Sequence, residues 1–439
     1  MHAADHSLAQ QDLSAGHTVA YVLTRAERPE AAGVPSPWNG SAALEADRAT
    51  AATSPQQTGG PPSADAAPVL ASIDRAVADL RRGQVLVVRT AAESPAAVLV
   101  HAAETATPED LERLASLGRS VPALAVTRRR AEVLGLAEPT TDAGGAVLLR
   151  PAGGRPADAF LFRDLADPAR SGAATAAEPP PVAVIPVPAR SPADAAIELA
   201  KLARLLPAAI VVAIDPATAG SLAERERAVL LEAEDVFTYH AVAARALRRV
   251  AEARVPLADA EDARIVAFRP ADGGLEHLAI VVGAPDPADP VLARIHSECF
   301  TGDLLGSLRC DCGDQLRGAI AAIAKAGGGV LLYLAQEGRG IGLVNKLRAY
   351  QLQDRGFDTV DANVQLGFDA DERIYLPAVE MLRQLGFDRV RLLTNNPEKV
   401  AALDRCGIAV VERVPHAFPS NSHNEHYLRT KATRSGHLL

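Results

Sequence analysis

The chain's reactive side chains are concentrated in one stretch, His296-Ser297-Glu298-Cys299, which is followed after ten residues by Cys310-Asp311-Cys312. Three thiolates with one open coordination position suit a zinc ion that activates water, whereas structural zinc sites usually close with four ligands. The Cys-Asp-Cys turn is also tighter than the C-x-x-C spacing of a zinc ribbon. The spacing alone leaves three interpretations open: a catalytic zinc site, a structural zinc site completed by His296, and ordinary buried cysteines.

Apolar runs on both sides of this stretch predict strands and helices that alternate around it. We expect strands at 264–268, 277–282, 293–297, 330–334 and 390–393. We expect helices at 314–326, 376–385 and 398–404, and a further helix that opens at Gly338–Gly342 and runs to Asp354. These elements together predict an α/β domain over residues 259–439.

Three polar segments of this domain lie where elements join. Glu337–Gly342 is a glycine-rich turn between a strand and a helix, where backbone N–H groups and the helix dipole suit a phosphate. It lacks the Walker pattern, and a tight strand-to-helix connection is the simpler explanation of this turn taken alone. Thr394–Lys399 also pairs a strand end with a helix start and suits an anion. Asp369–Arg373 is a run of charges, which usually marks a solvated face.

The N-terminal half of the chain predicts a second α/β (α+β) domain over 69–258. Its pattern indicates helices at 73–80, from 107–110 onward and at 194–205, and strands at 85–88, 121–126 and 209–214. We expect 227–250 to be mostly helical, with an interruption near Asp235–Phe237, and 172–181 to be a loop. Residues 1–68 are rich in Ala, Ser, Pro, Gln and Gly and predict a disordered leader.

Composition excludes several classes of function. The 439 residues carry 45 Lys and Arg against 54 Asp and Glu, and a net charge of −9 argues against nucleic acid as the main partner. No run of about 18 apolar residues predicts a membrane span, and the first residues do not form a signal peptide. Four cysteines in a chain this long make no disulfide framework. We therefore expect a cytoplasmic protein.

The motifs of the C-terminal domain together resemble those of GTP cyclohydrolase II, the first committed enzyme of bacterial riboflavin synthesis. The resemblance runs from about Arg264 to Leu439. Its carriers are Arg294–Cys299, Ser307–Gly313, Gln336–Gly342, Asn345–Tyr350, Leu366–Phe368, Asp371–Arg373, Leu393–Pro397, Asn424–Leu428, Thr430–Lys431 and Gly436–Leu439. One departure is Ala335, where the family usually has Arg, and we expect its effect to be modest at most.

The resemblance implies a role for each matching residue. Cys299, Cys310 and Cys312 would hold one zinc ion per subunit, whose bound water attacks C8 of guanine and leads to loss of formate. Mg²⁺ would shield the triphosphate of the substrate. The residues implied to bind GTP are Arg294, Ile295, His296, Ser297, Glu298, Gln315, Glu337, Gly338, Arg339, Thr359, Thr394 and Lys399.

Three further residues are implied to be catalytic. Arg373 would be the nucleophile at the α-phosphorus that expels pyrophosphate, with Asp371 beside it as the proton acceptor. A guanidinium group is normally cationic, so a phosphate-clamping role for Arg373 stays open. Tyr350 matches the family's tyrosine near the ring that is opened.

The N-terminal domain resembles dihydroxybutanone phosphate synthase, on 73–88, 102–104 and 195–200. The dense acidic run expected after Val88 reads Arg-Thr-Ala-Ala-Glu-Ser-Pro. The expected His-Thr-Glu reads Pro192-Ala193-Asp194, and a later Glu appears as Ala213. Because Mg²⁺ binding and proton abstraction need those groups, we expect a catalytically inactive domain that serves in packing, dimerisation or regulation.

Two other functions remain open. The chain could open the imidazole ring of another purine nucleotide or stop before formate is released, or it could be a GTP sensor or scaffold that performs no chemistry. We expect a sensor to have lost a zinc ligand or Arg373. This chain has all three cysteines and Arg373. The resemblance favours a homodimer.

Overall fold

The computed structural model describes residues 66–90, 95–138, 145–170, 182–419 and 424. The predicted leader lies outside these residues except for 66–68, which already form the start of the first helix. The predicted loop at 172–181 also lies outside them. Within the described ranges, no helix has the length and apolar character needed to cross a membrane.

The N-terminal part of the chain forms a seven-stranded sheet with helices packed against it. The strands run in the order β5-β4-β3-β6-β2-β1-β7, and all neighbours are antiparallel except the parallel pair β1 and β7. The strands are β1 (Leu86–Arg89), β2 (Ala97–Ala102), β3 (Ala123–Thr127), β4 (Ala146–Pro151), β5 (Val182–Pro186), β6 (Ala208–Ile214) and β7 (Leu230–Glu232). The helices are α1 (Ala66–Arg81), α2 (Pro108–Leu117), α3 (Arg128–Val133), α4 (Ala159–Ala166), α5 (Pro192–Leu202), α6 (Ala219–Glu226) and α7 (Ala233–Arg245).

The C-terminal part forms a second seven-stranded sheet, in the order β14-β13-β11-β12-β10-β9-β8. Strands β14, β13, β11 and β12 are parallel, whereas β12, β10, β9 and β8 pair antiparallel. The strands are β8 (Arg248–Arg254), β9 (Ala263–Arg269), β10 (His277–Val282), β11 (Val291–Ser297), β12 (Gly329–Leu334), β13 (Arg389–Leu393) and β14 (Ala409–Val414). The helices are α8 (Cys312–Lys325), α9 (Leu343–Asp354), α10 (Thr359–Gln365), α11 (Leu376–Gln384) and α12 (Pro397–Arg405).

Helix starts coincide with local capping signals. Thr107 precedes α2, and its side chain accepts a hydrogen bond from the Asp110 backbone while the Asp110 carboxylate accepts one from the Thr107 backbone. This capping box satisfies two N–H groups that the helix leaves without partners. Asn396 caps α12 more simply, since its side-chain oxygen accepts a hydrogen bond from the Glu398 N–H. Both helices begin where the sequence predicts.

One hydrophobic cluster contains residues of both domains. Helices α9 and α10 belong to the C-terminal part, but their apolar sides pack into the cluster formed beneath the N-terminal sheet. Ile341, Ala349, Leu352, Ala362, Leu366 and Phe368 are all nearly inaccessible there, in the same cluster as Phe162 and Leu206. The N-terminal domain therefore supports the elements that carry part of the second domain's cavity.

The prediction for 227–250 is wrong. An interruption does occur, but it lies at β7, before the helix α7 that contains Asp235–Phe237. The end of this range is strand β8 rather than helix. Both strands depend on distant partners, since the three-residue β7 pairs with β1 and the fully exposed β8 pairs with β9. The second sheet thus begins at Arg248, before the domain boundary that the sequence predicts at 258/259.

Candidate active site

A cavity lies at the carboxyl ends of the parallel strands β11, β12 and β13. Ligands of open α/β sheets bind at this edge, because the loops that leave the strands there meet. Among the predicted site residues, those that line the cavity are Arg294, His296, Ser297, Glu298, Cys299, Cys310, Cys312, Gln315, Glu337, Gly338, Arg339, Tyr350, Thr359, Arg373, Thr394 and Lys399.

Three cysteines form the chemical centre of this cavity. The sulfur atoms of Cys299, Cys310 and Cys312 all lie within 4.8 Å of one another, and Cys299 Sγ is 3.8 Å from Cys310 Sγ. Two sulfurs bonded to one tetrahedral zinc ion at about 2.3 Å lie roughly 3.8 Å apart, so the spacing fits that metal. Among the described residues, this is the one group of three or more His, Cys, Asp or Glu side chains close enough to share an ion.

Gly302 leaves room for these sulfurs. It lies in a short π-helical turn, Phe300–Leu304, that leads away from Cys299. A Cβ atom at this position would lie 2.7 Å from Cys310 Sγ and 2.9 Å from Cys312 Cβ, closer than real contacts allow. The glycine is therefore required by the volume that the thiol cluster occupies, and its backbone conformation does not demand it.

A buried cation lies against the cysteine cluster. Lys346 Nζ donates hydrogen bonds to Cys299 Sγ at 3.1 Å, Thr301 Oγ1 at 2.9 Å and Glu337 Oε1 at 2.8 Å. Hydrogen bonds from the neighbouring thiols of Cys310 and Cys312, together with Lys346, hold the pKa of Cys299 far below its usual value. This shift favours the thiolate form of Cys299, which is the form that binds metals.

His296 does not complete the metal site. Its Nε2 lies 3.1 Å from the Asp303 carboxylate, and its ring stacks on Tyr333 at 5.6 Å between centroids. Burial lowers the pKa of His296 even though Asp303 opposes the shift. Asp303 also accepts hydrogen bonds from the Tyr333 hydroxyl and from the Cys299 backbone. The structural-zinc interpretation with His296 as fourth ligand is therefore not supported by the geometry.

Arg294 crosses the floor of the cavity. Its side chain is buried, Nη1 donates to the Leu393 carbonyl at 2.9 Å, and Nη2 donates to the Gln315 side-chain oxygen. Gln315 in turn donates to the Asp311 carboxylate. Burial lowers the pKa of Arg294 to about 10, so the group remains cationic at neutral pH. The cavity floor therefore carries a fixed positive charge.

Arg373 lines the cavity and pairs with Asp371, which is not itself one of the lining residues. Arg373 Nε donates to Asp371 Oδ1 at 2.8 Å, and its Nη2 donates to Oδ2, which makes the pair bidentate. Burial alone raises the pKa of Asp371, but attraction to Arg373 outweighs burial and lowers it. Asp371 is thus ionised, and it fixes the plane of the guanidinium group that faces the cavity.

The end of β13 and the start of α12 supply a second polar wall. The Asn396 backbone donates to Thr394 Oγ1 at 3.0 Å, and Lys399 Nζ donates to the Ile295 carbonyl at 3.0 Å. Ile295 itself does not line the cavity, because its side chain lies in the core beneath the second sheet. Ile295 contributes to the site through its backbone carbonyl, which accepts the hydrogen bond from Lys399.

Tyr350 and Thr359 lie on helices that line the cavity, and Glu298 lies in the loop that follows β11. Tyr350 is on α9, where the guanidinium of Arg309 lies 4.9 Å from its ring centroid and burial raises its pKa. Thr359 is the first residue of α10, which Asp358 caps. Burial, reinforced by Glu337, also raises the pKa of Glu298.

Known proteins are similar to this chain in sequence. The family model described as GTP cyclohydrolase II matches residues 248–415. A protein named GTP cyclohydrolase-2 from Azospirillum brasilense is 57% identical over 381 residues, which cover 84% of this chain and 94% of that protein. The chain belongs to the GTP cyclohydrolase II family.

Relatives differ in how much of the chain they match. A GTP cyclohydrolase-2 from Cronobacter sakazakii is 58% identical over 193 residues, which make up 98% of that protein but 44% of this chain. A solved two-domain 3,4-dihydroxy-2-butanone 4-phosphate synthase from A. baumannii covers 79% of this chain and 99% of its own, at 18% identity and a TM-score of 0.31. A superposition this poor supports no conclusion about the N-terminal domain.

Several residues of this GTP cyclohydrolase II cavity are not among the predicted ones. His416 follows β14 and returns to the cavity, where its Nε2 lies 2.9 Å from the Gln315 carbonyl. Asn363 and Lys346 line the cavity from α10 and α9. Asp303 lies directly behind His296 and Cys299. A charge pattern singles out Lys346 within 345–350, whereas nothing in the local sequence marks His416.

Proposed function

We propose that the chain is a zinc-dependent GTP cyclohydrolase II in the first step of riboflavin biosynthesis. It hydrolyses GTP to 2,5-diamino-6-(5-phosphoribosylamino)pyrimidin-4(3H)-one, formate and diphosphate. The observation that carries this proposal is the three-thiol cluster, which opens onto a cavity lined by Arg294, Arg339, Arg373 and Lys399. Family membership supports the substrate class.

Cys299, Cys310 and Cys312 would hold the zinc ion, since their sulfur spacing fits it and Gly302 leaves room for them. A zinc ion with three protein ligands supplies a Lewis acid and an activated water for attack on C8 of the guanine ring. Glu298, with a raised pKa, and Tyr350 lie in the same cavity and can hold or pass protons as the two C8–N bonds break.

The cationic and hydroxyl side chains would bind the nucleotide. Arg339 and Arg373 lie near the glycine-rich turn, where a triphosphate accompanied by Mg²⁺ would meet both guanidinium groups. Thr394 and Gln315 offer neutral hydrogen-bonding groups for the base. His296, Ser297, Gly338, Thr359 and Lys399 belong to the same proposed binding set.

Asp371 and Arg373 would act at the α-phosphorus. Whether Arg373 attacks that atom or clamps the phosphate, its guanidinium group must be oriented, and the bidentate contact with Asp371 does this. Loss of diphosphate at this position leaves the 5′-phosphate on the product. The pair therefore belongs to the phosphoanhydride half of the reaction.

The N-terminal domain does not act as a synthase in this proposal. Ala213 is an exposed residue of β6, and Asp194 accepts a hydrogen bond from the Arg190 backbone beside the start of α5. We further propose a cytoplasmic homodimer, whose mass light scattering would measure.

Product analysis tests the proposal. Purified, zinc-loaded protein is incubated with GTP and Mg²⁺, and formate, diphosphate and the pyrimidine chromophore are quantified. Cys310→Ser removes one proposed ligand, and Cys406→Ser serves as the matched control because Cys406 lies outside the cluster. We expect equal amounts of formate and diphosphate from the unmodified protein and from Cys406→Ser, and no formate from Cys310→Ser.

Other outcomes would support different functions. Diphosphate without formate from the unmodified protein would indicate an altered or incomplete ring opening. GTP binding without any product would overturn the enzymatic proposal and favour a sensor. Turnover of another purine nucleotide in preference to GTP would assign the site to a different substrate.

A further inference from the structure

The loop Gly367–Arg373 carries Asp371 and Arg373, and contacts from both domains hold it. On the side of the cavity, the Glu372 backbone donates to the Arg339 carbonyl at 3.0 Å, and Arg339 Nη1 donates to the Ala370 carbonyl at 3.2 Å. A displacement of this loop would therefore move Arg339 as well as the Asp371–Arg373 pair.

On its other side, the loop is held by side chains of the N-terminal domain. Lys201, in the last turn of α5, lies 3.1 Å from Glu372 Oε1. Arg129, in α3, forms an ion pair with Asp369. Thr127 Oγ1 donates to the Gly367 carbonyl at 2.7 Å. Three of the loop's residues are thus held from outside the C-terminal domain.

Glu372 links the two sets of contacts. Its Oε1 faces Lys201 and accepts a hydrogen bond from the Asp369 backbone at 2.8 Å, while its own N–H is bonded to Arg339. Lys201 and Glu372 are both largely buried, with side chains 17% and 18% exposed. An ion pair screened to this degree from solvent holds its geometry better than a surface pair does.

Lys201 is charged in this position. Burial alone lowers its pKa, but the carboxylates of Glu198 and Glu372 outweigh burial and raise the pKa above its ordinary value. Glu198 Oε1 lies 3.3 Å from Lys201 Nζ, on the same helix. The ammonium group is thus fixed between a residue of its own domain and a residue of the loop.

From these contacts we propose that the N-terminal domain positions the loop Gly367–Arg373 for the reaction, with Lys201 as the main positioning residue and Arg129 as a second one. The inference rests on the proposed function of the C-terminal site. Lys201 does not act on GTP itself; it acts through Glu372. A displacement of about 1 Å in a catalytic group can cost two orders of magnitude in rate, so a contact remote from the substrate can control turnover.

Steady-state kinetics of the full-length, zinc-loaded protein test this role. We expect Lys201→Met to lower kcat at least about tenfold and to change KM for GTP less than about threefold, because the loop carries groups that act in the transition state. Lys201→Arg keeps the charge and should recover kcat to within about threefold. Arg129→Met, which removes a more exposed pair, should lower kcat about two- to fivefold. Arg113→Met is the matched control, because it breaks an ion pair with Glu226 inside the N-terminal domain that does not contact the loop.

A second readout is independent of activity. Hydrogen exchange of the Asp369 and Glu372 amides reports the hydrogen bonds that these N–H groups donate to the Glu372 carboxylate and to the Arg339 carbonyl. We expect faster exchange in Lys201→Met than in the unmodified protein, and unchanged exchange in Arg113→Met. If Lys201→Met does not fold, Arg129→Met and Lys201→Arg still carry the comparison.

The outcomes separate this inference from the proposed function. Unchanged kcat and unchanged loop exchange in Lys201→Met and Arg129→Met would overturn the positioning role. An equal loss of kcat in Arg113→Met would also overturn it, because that result would indicate general destabilisation. An unmodified protein that releases no formate would refute the proposed function, while the exchange comparison would still decide whether Lys201 orders the loop.

Discussion

Lys346 Nζ donates a hydrogen bond of 3.1 Å to Cys299 Sγ, and the same ammonium group lies 2.8 Å from the buried carboxylate of Glu337. One cation thus serves the thiol cluster and the start of the glycine-rich turn together. Burial alone lowers the pKa of Lys346, but the hydrogen bond with Glu337 and the charge of Cys299 raise it. The metal site and the turn are therefore electrostatically coupled.

The first prediction concerns this pair. Glu337 is only 4% exposed, and Lys346→Met removes the ammonium group that pairs with its carboxylate. Removing one partner of a buried ion pair costs roughly 3–5 kcal/mol, and we expect the free energy of unfolding of the metal-free protein to fall by that order. Urea denaturation measures the loss.

Lys325→Met is the control for this measurement. It lies at an exposed position in the last turn of α8 and should change the stability by less than about 0.5 kcal/mol. Equal stabilities of the two variants would contradict the prediction.

The second prediction concerns Gly302. In Gly302→Ala the added methyl group would lie 2.7 Å from Cys310 Sγ and 2.9 Å from Cys312 Cβ, so the ligands must move apart. We expect the zinc affinity to fall at least about tenfold, the lower end of what loss of supporting groups around a metal costs. Competition with a chromophoric chelator measures it.

Gly220→Ala is the control for that measurement. Gly220 lies in helix α6, and a Cβ there meets no atom within 4 Å. Its zinc affinity should equal that of the unmodified protein. Unchanged zinc affinity in Gly302→Ala would contradict the prediction, because it would mean that the metal does not need the sulfur positions that the added methyl group disturbs.

The sequence predicts the second domain well where burial is continuous. Strand β12 is an apolar run, and a run that is buried on both faces is recognisable without knowledge of its neighbours. The short helix α10 and the exposed strand β8 give no such signal. Helix α10 has one cap, Asp358, and seven residues, and its burial depends on the N-terminal domain against which it packs.

The same distinction applies to the site. The cysteine spacing and the glycine-rich turn are local patterns, so the sequence suffices to expect Cys299 and Arg339 near one cavity. His416 reaches the cavity through the return of the chain after β14, and Lys201 reaches the loop across the domain boundary. Contacts between residues more than 100 positions apart depend on the packing of whole elements, which a local pattern does not encode.

The third prediction concerns Asp371. In Asp371→Asn, the carboxylate that pairs with both Arg373 Nε and Nη2 is replaced by a single uncharged amide oxygen, so the guanidinium group loses its fixed orientation. We expect kcat to fall about 10- to 100-fold, with a smaller change in KM for GTP. Asp314→Asn removes an exposed carboxylate that pairs with Arg317 on α8, and its kinetics should match those of the unmodified protein. A larger effect on KM than on kcat would assign Asp371 to substrate binding instead.

The last prediction is a pH dependence of stability that originates at His277. This residue begins β10, its Nδ1 accepts a hydrogen bond from the Ala335 N–H at 3.0 Å, and burial lowers its pKa to about 4. An unfolded chain binds the proton at about pH 6.5, so between pH 6.5 and 4 the unfolded state holds more protons than the folded one. The contribution of His277 to the free energy of unfolding is therefore complete above pH 6.5, and it is lost as the pH drops toward 4.

The variant His277→Asn isolates this contribution. Its side-chain oxygen can accept the Ala335 hydrogen bond, but it cannot be protonated. We expect the slope of the unfolding free energy between pH 6.5 and 4 to decrease by up to about 1.4 kcal/mol per pH unit, the contribution of one proton. Urea denaturation at several pH values measures the slope. His240 and His416, whose pKa values burial also lowers to about 4, preserve a residual slope in the variant. Identical slopes in the two proteins would contradict the prediction, because they would mean that folding does not lower the pKa of His277.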